Sequence, residues 1–384
     1  MSLEKQYNFK PLPEPILITE QEWPEGTLPL VHTRSMSFNH ENYIKECIEG
    51  ILMQKTTFPI QVLIHDDAST DKTAEIIHEY ELKYPKLIKC YYQNENSYSQ
   101  PDKHERRIKF MSWRIGKYES PCEGDDYWID PLKLQKQVDF LENNEGYGMV
   151  HTNFDTYYQN IDFFLKNTHS VYNIDIKDNC TLDYWNLFGK AMATVKMLTV
   201  CYRFDLIKKW ESVKPANKWL IGDFPMFFFI TLQSKVGYIN ESTSVYRTVP
   251  QGSASNVGND IKKKLNLKKT YVDIRLHFLE KYNLDESKYQ QAFIRDLNLF
   301  FDCCIIAGNK VILNEYFEII QKLNLEHLIS NISKVYLKSK SNNLNYFLQF
   351  FTKIKLLILT YLFKLFNLKF LSSTFKRKLK FKNV

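Results

Sequence analysis

Between Ser120 and Pro131, in the stretch SPCEGDDYWIDP, three carboxylates (Glu123, Asp125 and Asp126) fall within four positions beside Tyr127 and Trp128. Carboxylates this close repel one another, and flanking aromatic rings imply partial burial, where an ionised group requires a proton or a cation. Helix capping takes up only a fourth acid. Asp130 stands before Pro131 at the expected first helical position, ahead of an apolar stripe of Leu134, Val138 and Leu141. The other three suit a hard divalent cation with oxygen ligands, Mg²⁺ or Mn²⁺, which keeps positions open for the phosphates of a substrate. The competing reading is a solvated acidic turn.

These acids need a frame, and the surrounding pattern supplies one. Leu28 to Phe38 reads as a strand, although His32 and Arg34 make it less apolar than a buried parallel strand usually is. Ser37 to Glu41 then opens a helix with Ile44, Cys47, Ile48 and Ile51 at helical spacing. Val62 to His65 forms a second short strand ending in Asp66 and Asp67, a turn that leads into a helix bearing Ala74, Ile77 and Tyr80. Leu87 to Gln93 makes a third strand. Strands alternating with helices predict an α/β fold, a mainly parallel sheet flanked by helices, with ligands at the carboxyl ends of the strands. Both acidic clusters lie at such ends and are expected to face one crevice. From about Ile261 to Leu344 the chain reads as helices joined by short polar turns.

Composition narrows the class. The 384 residues, with 24 Tyr, 27 Phe and 6 Trp, can bury a sizeable core. Seven cysteines without CxxC spacing indicate neither a disulfide framework nor a zinc site, and a reducing cytoplasm fits them. The first residues lack the apolar core of a signal peptide, and no stretch reaches the roughly 20 uninterrupted apolar residues of a membrane span. The net charge of +7 belongs to the end of the chain: twelve Lys or Arg and no acid follow Glu326, so residues 1–326 carry −5. With no basic stripe in the body, nucleic acid is not an expected partner.

Taken in order, SFNHENYIKECIEGIL, HDDASTDKTAEII, CEGDDYWIDPLKLQKQVDFLE, IGDFPMFF and SVYRTVPQGSAS resemble the inverting nucleotide-sugar glycosyltransferases of family 2, of bacterial type, which have the GT-A (Rossmann-like) fold. The resemblance spans roughly residues 28–255. It implies that Asp66 and Asp67 meet the nucleotide base and ribose, with Ser37 and Asn39 in the same nucleotide-sugar site. Asp66 is equally well read as an Asx turn. Glu123-Gly-Asp125 resembles the family's DxD motif with Glu in first place: Glu123 approaches the ribose or a metal-bound water, Asp125 binds the metal, and Asp126 assists. Asp223 matches the catalytic base, which removes a proton from an acceptor hydroxyl; its other reading is an N-cap. Trp219 stacks on an acceptor sugar or belongs to the core. Arg247, with Gly252 to Ser255, resembles the loop that closes over the diphosphate, although Val249 and Pro250 stand where the family often has a His. Arg34, Arg106 and Arg107 are further cations to place.

The implied organisation is a GT-A catalytic domain over 1–260, a helical C-terminal region over 261–345 and a basic amphipathic tail over 346–384. The implied donor is a UDP-sugar, and the acceptor a saccharide, free or lipid-linked, in surface polysaccharide or glycolipid synthesis. A two-carboxylate glycoside hydrolase acting through Asp125 and Asp223, and a non-catalytic nucleotide-sugar-binding scaffold, are the competing functions. In the tail, Lys353, Thr360, Lys364 and Asn367 mark one narrow helical face among dense apolar residues, and a lysine run closes the chain. Such a helix lies peripherally on an anionic membrane surface at the cytoplasmic face, or packs as a last helix on the domain.

Overall fold

The computed structural model of the chain describes residues 7–96, 109–171, 195–215, 219–248, 260–324, 327, 329–339, 344–345, 348–349 and 351–355. The chain forms two compact units, residues 1–256 and 257–384.

The first unit is built on a nine-stranded sheet: β1 Val31–Ser37, β2 Ile60–Asp66, β3 Ile88–Tyr92, β4 Tyr118–Pro121, β5 Tyr127–Trp128, β6 Tyr147–Tyr158, β7 Phe163–Leu165, β8 Val200–Arg203 and β9 Lys235–Thr248. The spatial order is β3-β2-β1-β4-β8-β6-β9-β5, with β7 pairing on β6. The ladders β1–β2, β2–β3, β1–β4 and β6–β9 are parallel, as expected of strands joined by helical crossovers. Shorter antiparallel ladders join β8 to β4 and β6, and β5 to β9. In register, Ser37 lies opposite Asp66 at the carboxyl ends of β1 and β2, and His32 lies opposite Glu119.

Helices cover the sheet where the apolar spacing demands it. In α1 (Ile44–Leu52), Ile44, Cys47, Ile48 and Ile51 are fully buried, each apolar side chain contributing about 1.5–3 kcal/mol. Gly50 permits this packing, because a Cβ there would meet the Trp128 backbone at 2.8 Å. Helix α2 is Thr73–Lys83, and α3 is Lys133–Asn143 with Leu134, Val138 and Leu141 buried. The start of α3 differs from expectation. Pro131 and Leu132 form a turn in which Asp130 Oδ1 accepts the Leu132 N–H at 2.9 Å, so the helix begins two residues past the proline. The buried Lys133 donates to Ser120 Oγ (3.0 Å) and Gln137 Oε1 (2.7 Å), tying α3 to β4 directly behind the acidic stretch. A short α4 (Thr168–Val171), α5 (Phe204–Val213) and α6 (Asp223–Gln233) complete the described helices of this unit. A cavity of about 610 Å³ near Leu30, Phe58 and Gly116 lies at the amino ends of β1 and β4, away from the acids.

The second unit is helical: α7 Ile261–Lys281, α8 Glu286–Ile306, α9 Lys310–Lys322 and α10 Asn331–Lys338. Asp260, Asn309 and Ser330 cap α7, α9 and α10 with side-chain oxygens. Arg275 and Asp296, both buried, join α7 to α8 at 2.6 Å. Lys355 pairs with buried Asp302 at 2.6 Å, so the first residues of the expected tail pack on this unit. The rest of the tail, from residue 356, lies outside the described residues. Among the described residues no helix is long and apolar enough to cross a membrane.

Candidate active site

At the carboxyl ends of β1 and β2 two loops lock together. Asn39, at φ +55°, accepts the Thr70 N–H at 2.8 Å and donates its own N–H to Ser69 Oγ at 2.9 Å. The backbone N–H groups of His40 and Glu41 go to Thr73 Oγ1 and Asp71 Oδ2. Asp66 accepts from Ser69 N (2.9 Å), Ser69 Oγ (2.5 Å) and Ser37 Oγ (3.2 Å). The Asx-turn reading therefore holds for Asp66, and it is Asp71, through Thr73, that opens α2. Ser37 and Asn39 also serve this loop pair. Asp67 is buried at the same edge, and its backbone N–H is held by Ser37 O at 2.9 Å.

The acidic loop leaves β4 alongside β1, with Cys122 and Gly124 donating their N–H groups to Arg34 O and Met36 O, both at 3.0 Å. Glycine separates the two acids for a steric reason. A Cβ at Gly124 would stand 2.7 Å from the His40 ring and 3.0 Å from Met36 O. Asp126 is buried and accepts the Arg247 N–H at 2.8 Å. The Arg247 guanidinium donates to Asp125 O at 2.9 Å and to Glu46 Oε2 at 2.5 Å. Arg247 thus fastens this loop to α1, a role that the sequence pattern did not disclose. Its partners lie 121 to 201 positions away. The Asp125 side chain, half-buried, accepts no hydrogen bond among the described residues.

Negative charge in this loop is under-compensated. Burial, with Asp125 adding to it, pushes the Asp126 carboxyl well above the usual carboxylate range. Burial also raises Glu123; Arg34 opposes this, Asp125 and Asp223 reinforce it, and the group is pushed up to about 7. Asp223 is therefore near enough to act on Glu123. A divalent cation fits such a donor set. Among the described residues no three acidic, His or Cys side chains form a ready-made cage. A metal here would take one or two carboxylates and complete its shell with water and phosphate oxygens.

Behind the loop stands a buried carboxylate that is fully compensated. Glu119, four residues before Glu123, accepts from His32 Nε2 (2.7 Å), Arg34 Nε (3.2 Å), Arg114 Nε (2.5 Å) and Tyr202 OH (2.5 Å). His32 Nδ1 accepts the Gly116 N–H at 3.0 Å, which fixes the ring as the neutral Nε2–H tautomer. Burial acts to raise the Glu119 pKa, but Arg114, His32 and Arg34 hold it well below the usual range. Arg34 also reaches Glu123 at 3.9 Å, so the polar strand positions noticed in β1 belong to this network. A glutamate inside the short strand YESP was the available signal for it.

Asp223 is exposed and opens α6, its Oδ1 accepting the Phe224 N–H at 2.8 Å. Gly222 holds the cap position, without a side-chain capping bond, and Asp223 is the first helical residue, so the N-cap reading is not borne out. Trp219 lies parallel to Trp210 at 6.2 Å, so its ring belongs to an aromatic stack within the fold. Lys196, which sequence reasoning passed over, sits just before β8 with its ammonium 4.0 Å from the Tyr246 ring centre. Arg106, Arg107 and Gly252 to Ser255 lie outside the described residues.

Comparison with known proteins bears on this sheet with two acidic loops at its strand ends. Residues 36–202 match the family model described as Glycosyl transferase family 2. The structure of S. aureus TarS residues 1–349 in complex with UDP-GlcNAc has the same fold, with a TM-score of 0.56 and 15% identity over 84% of this chain and 88% of that one. Residues 36–202 are thus similar to glycosyltransferase family 2, and the chain has the GT-A fold. An uncharacterised protein of Mycobacterium tuberculosis is 44% identical over 110 residues, 29% of this chain and 31% of that protein. TuaG of Bacillus subtilis, named as a teichuronic acid biosynthesis glycosyltransferase, is 33% identical over 113 residues, 29% of this chain and 42% of that protein. The chain thus spans less than half the length of these curated relatives.

Proposed function

We propose that this chain is an inverting, metal-dependent glycosyltransferase that moves a sugar from a nucleoside-diphosphate donor, a UDP-sugar, to a saccharide acceptor in surface polysaccharide or glycolipid synthesis. The carrying observation is the contrast within the acidic loop. Arg247 fixes its backbone and Asp126, while the Asp125 carboxylate accepts no hydrogen bond among the described residues. A carboxylate whose backbone is fixed while its own oxygens accept no bond from the described residues suits a metal–diphosphate complex. The TarS complex with UDP-GlcNAc and the names of TuaG and of the Pasteurella multocida chondroitin synthase, 23% identical over 262 residues, support the donor and pathway class.

In this reading Asp125 would hold Mg²⁺ or Mn²⁺ with Asp126 assisting, and the ion supplies charge neutralisation of the departing diphosphate. Asp67 receives the base and ribose at the rigid loop pair, with Ser37, Asn39 and Asp66 shaping it. Glu123, tethered by Arg34, faces the ribose or a metal-bound water. Asp223, exposed at the start of α6, takes the proton from the acceptor hydroxyl as the hydroxyl oxygen attacks the anomeric carbon from the face opposite the phosphate. Arg247 serves the donor by holding the loop. A basic tail that attaches peripherally to the cytoplasmic face of a membrane would bring the enzyme to a lipid-linked acceptor.

Transfer from a panel of nucleotide sugars, measured with and without excess chelator, tests this. Activity is expected to vanish with chelator and in Asp125→Asn, while that variant's Tm stays near the wild-type value. Full activity of the wild-type protein in excess chelator would overturn the metal role.

A further inference from the structure

Three cations approach the acidic loop, and two of them are engaged. Arg34 is bonded to Glu119 and reaches Glu123, and Arg247 is bonded to Asp125 O and Glu46. Lys196 differs. Its ammonium makes no hydrogen bond or ion pair among the described residues and rests only over the Tyr246 ring, 4.0 Å from the centre. Tyr246 precedes Arg247, whose N–H binds Asp126, so the ammonium is held at the Asp126 end of the loop. The backbone there is fixed, since Thr199 N and Oγ1 both donate to Lys196 O at 2.9 and 2.7 Å. Burial lowers the Lys196 pKa, and the fields of Asp223 and Asp126 oppose that fall.

An ammonium brings three donors, and leaving them unanswered in a partly dry site is unfavourable. The two nearby carboxylates offset its charge without bonding to it. The missing partner is an anionic oxygen arriving between the metal loop and the base. We propose that Lys196 is a donor-binding residue whose ammonium bonds a phosphate oxygen of the nucleoside diphosphate, acting beside the metal as a second cation on that group. This rests on the donor reading given above and adds to it a residue that neither motif nor spacing singles out. The Tyr246 ring serves as its platform, keeping the ammonium in place while no ligand is bound.

Calorimetric titration of the full chain, with Mn²⁺ present, separates the two ideas. The ligands are UDP, GDP, inorganic pyrophosphate and uridine, and the proteins are wild type, Lys196→Met and Lys196→Arg. Lys196→Met is expected to weaken UDP binding by about 10–100-fold, the range for a hydrogen bond to a charged group, and to leave uridine binding unchanged. Lys196→Arg is expected to retain most of the affinity. If wild type and Lys196→Met bind UDP equally, the assignment of Lys196 falls and the donor reading stands. Equal losses for UDP and uridine would also overturn it, since the residue would then act through the fold or the base. If the wild-type protein binds none of the four ligands, both ideas fall. Amine acetylation of the wild-type chain read by mass spectrometry needs no variant. UDP with Mn²⁺ is expected to protect Lys196, and unchanged labelling at saturation would reject the contact.

Discussion

Glu119 and Glu123 stand on the same strand exit, four residues apart, and the fold treats them oppositely. Glu119 is fully buried and receives four donors from β1, β8 and Arg114, so its charge is stable inside the protein. Glu123 shares only the far side of Arg34 and faces two further carboxylates, and its proton affinity rises to about 7. The pair shows how a GT-A sheet separates architecture from chemistry. A buried acid with its partners built in holds strands together, whereas acids left short of positive charge are the ones proposed above to take a cation from outside.

Removing Asp223 should give the largest effect and would sharpen the division. It is exposed and opens α6, so Asp223→Asn is expected to change stability by no more than about 0.5 kcal/mol while lowering turnover by about 10²–10⁴-fold. Nucleotide binding should persist. Steady-state transfer assays beside a binding titration check this, and wild-type kcat would move the base elsewhere.

The next effect falls on the other side. Glu119→Gln leaves Arg34 and Arg114 without their buried counter-charge, and a loss of about 3–5 kcal/mol in urea denaturation is expected. Its pH dependence has a fixed sign. A carboxyl held below its unfolded pKa stabilises the fold above that pKa, and the contribution disappears as pH falls through the folded value. The gap between wild type and Glu119→Gln should therefore be full at neutral pH and narrow in acid, below about pH 4. A gap that widened in acid would break the comparison.

A finer contrast separates Asp66 from Asp67. Three donors bind the Asp66 side chain, so Asp66→Asn should cost about 1 kcal/mol of stability and affect nucleotide binding only through the loop. Asp67→Asn is expected to weaken UDP binding more than Asp66→Asn does. Denaturation and titration of both variants settle which acid meets the ligand.

The smallest effect concerns the tail. Lys355 is paired with Asp302, whereas the lysines after it in sequence have the composition of a membrane-facing segment, each worth about 1 kcal/mol at an anionic surface. Liposome flotation should recover the full chain and not a version ending after Lys355, which keeps the ion pair. Equal recovery of both would reject the anchor.

Much of this frame was legible in the sequence because its signals are local. Helical spacing placed Ile44 to Ile51 and Leu134 to Leu141, apolar runs placed β1 to β3, and the crowding of Glu123, Asp125 and Asp126 pointed to a cation. What escaped notice is what lies far apart along the chain. His32, Arg114 and Tyr202 converge on Glu119 only through strand pairing. Lys196, ahead of β8, gains its meaning from Tyr246 on β9. In the sequence Trp219 is open between a sugar platform and the core, because spacing alone does not show Trp210 as its stacking partner. The helix-start pattern at Pro131 misled by two residues, since a proline turn and a first helical turn share the same residue preferences.

The Arg247 bonds to Asp126, Asp125 and Glu46 close loops of 121, 122 and 201 positions. Such contacts form late, since long closures cost entropy before any bond repays it. On the ribosome, β1 to β4 can gather while β9 is still unmade, and the acidic loop then lacks its fastening to α1. The β1–β4 half of the sheet can therefore precede the fastening of the acidic loop. On the proposed reading, a site for a nucleotide sugar would be completed only with the last strands of the unit, and an unfinished chain would not sequester donor.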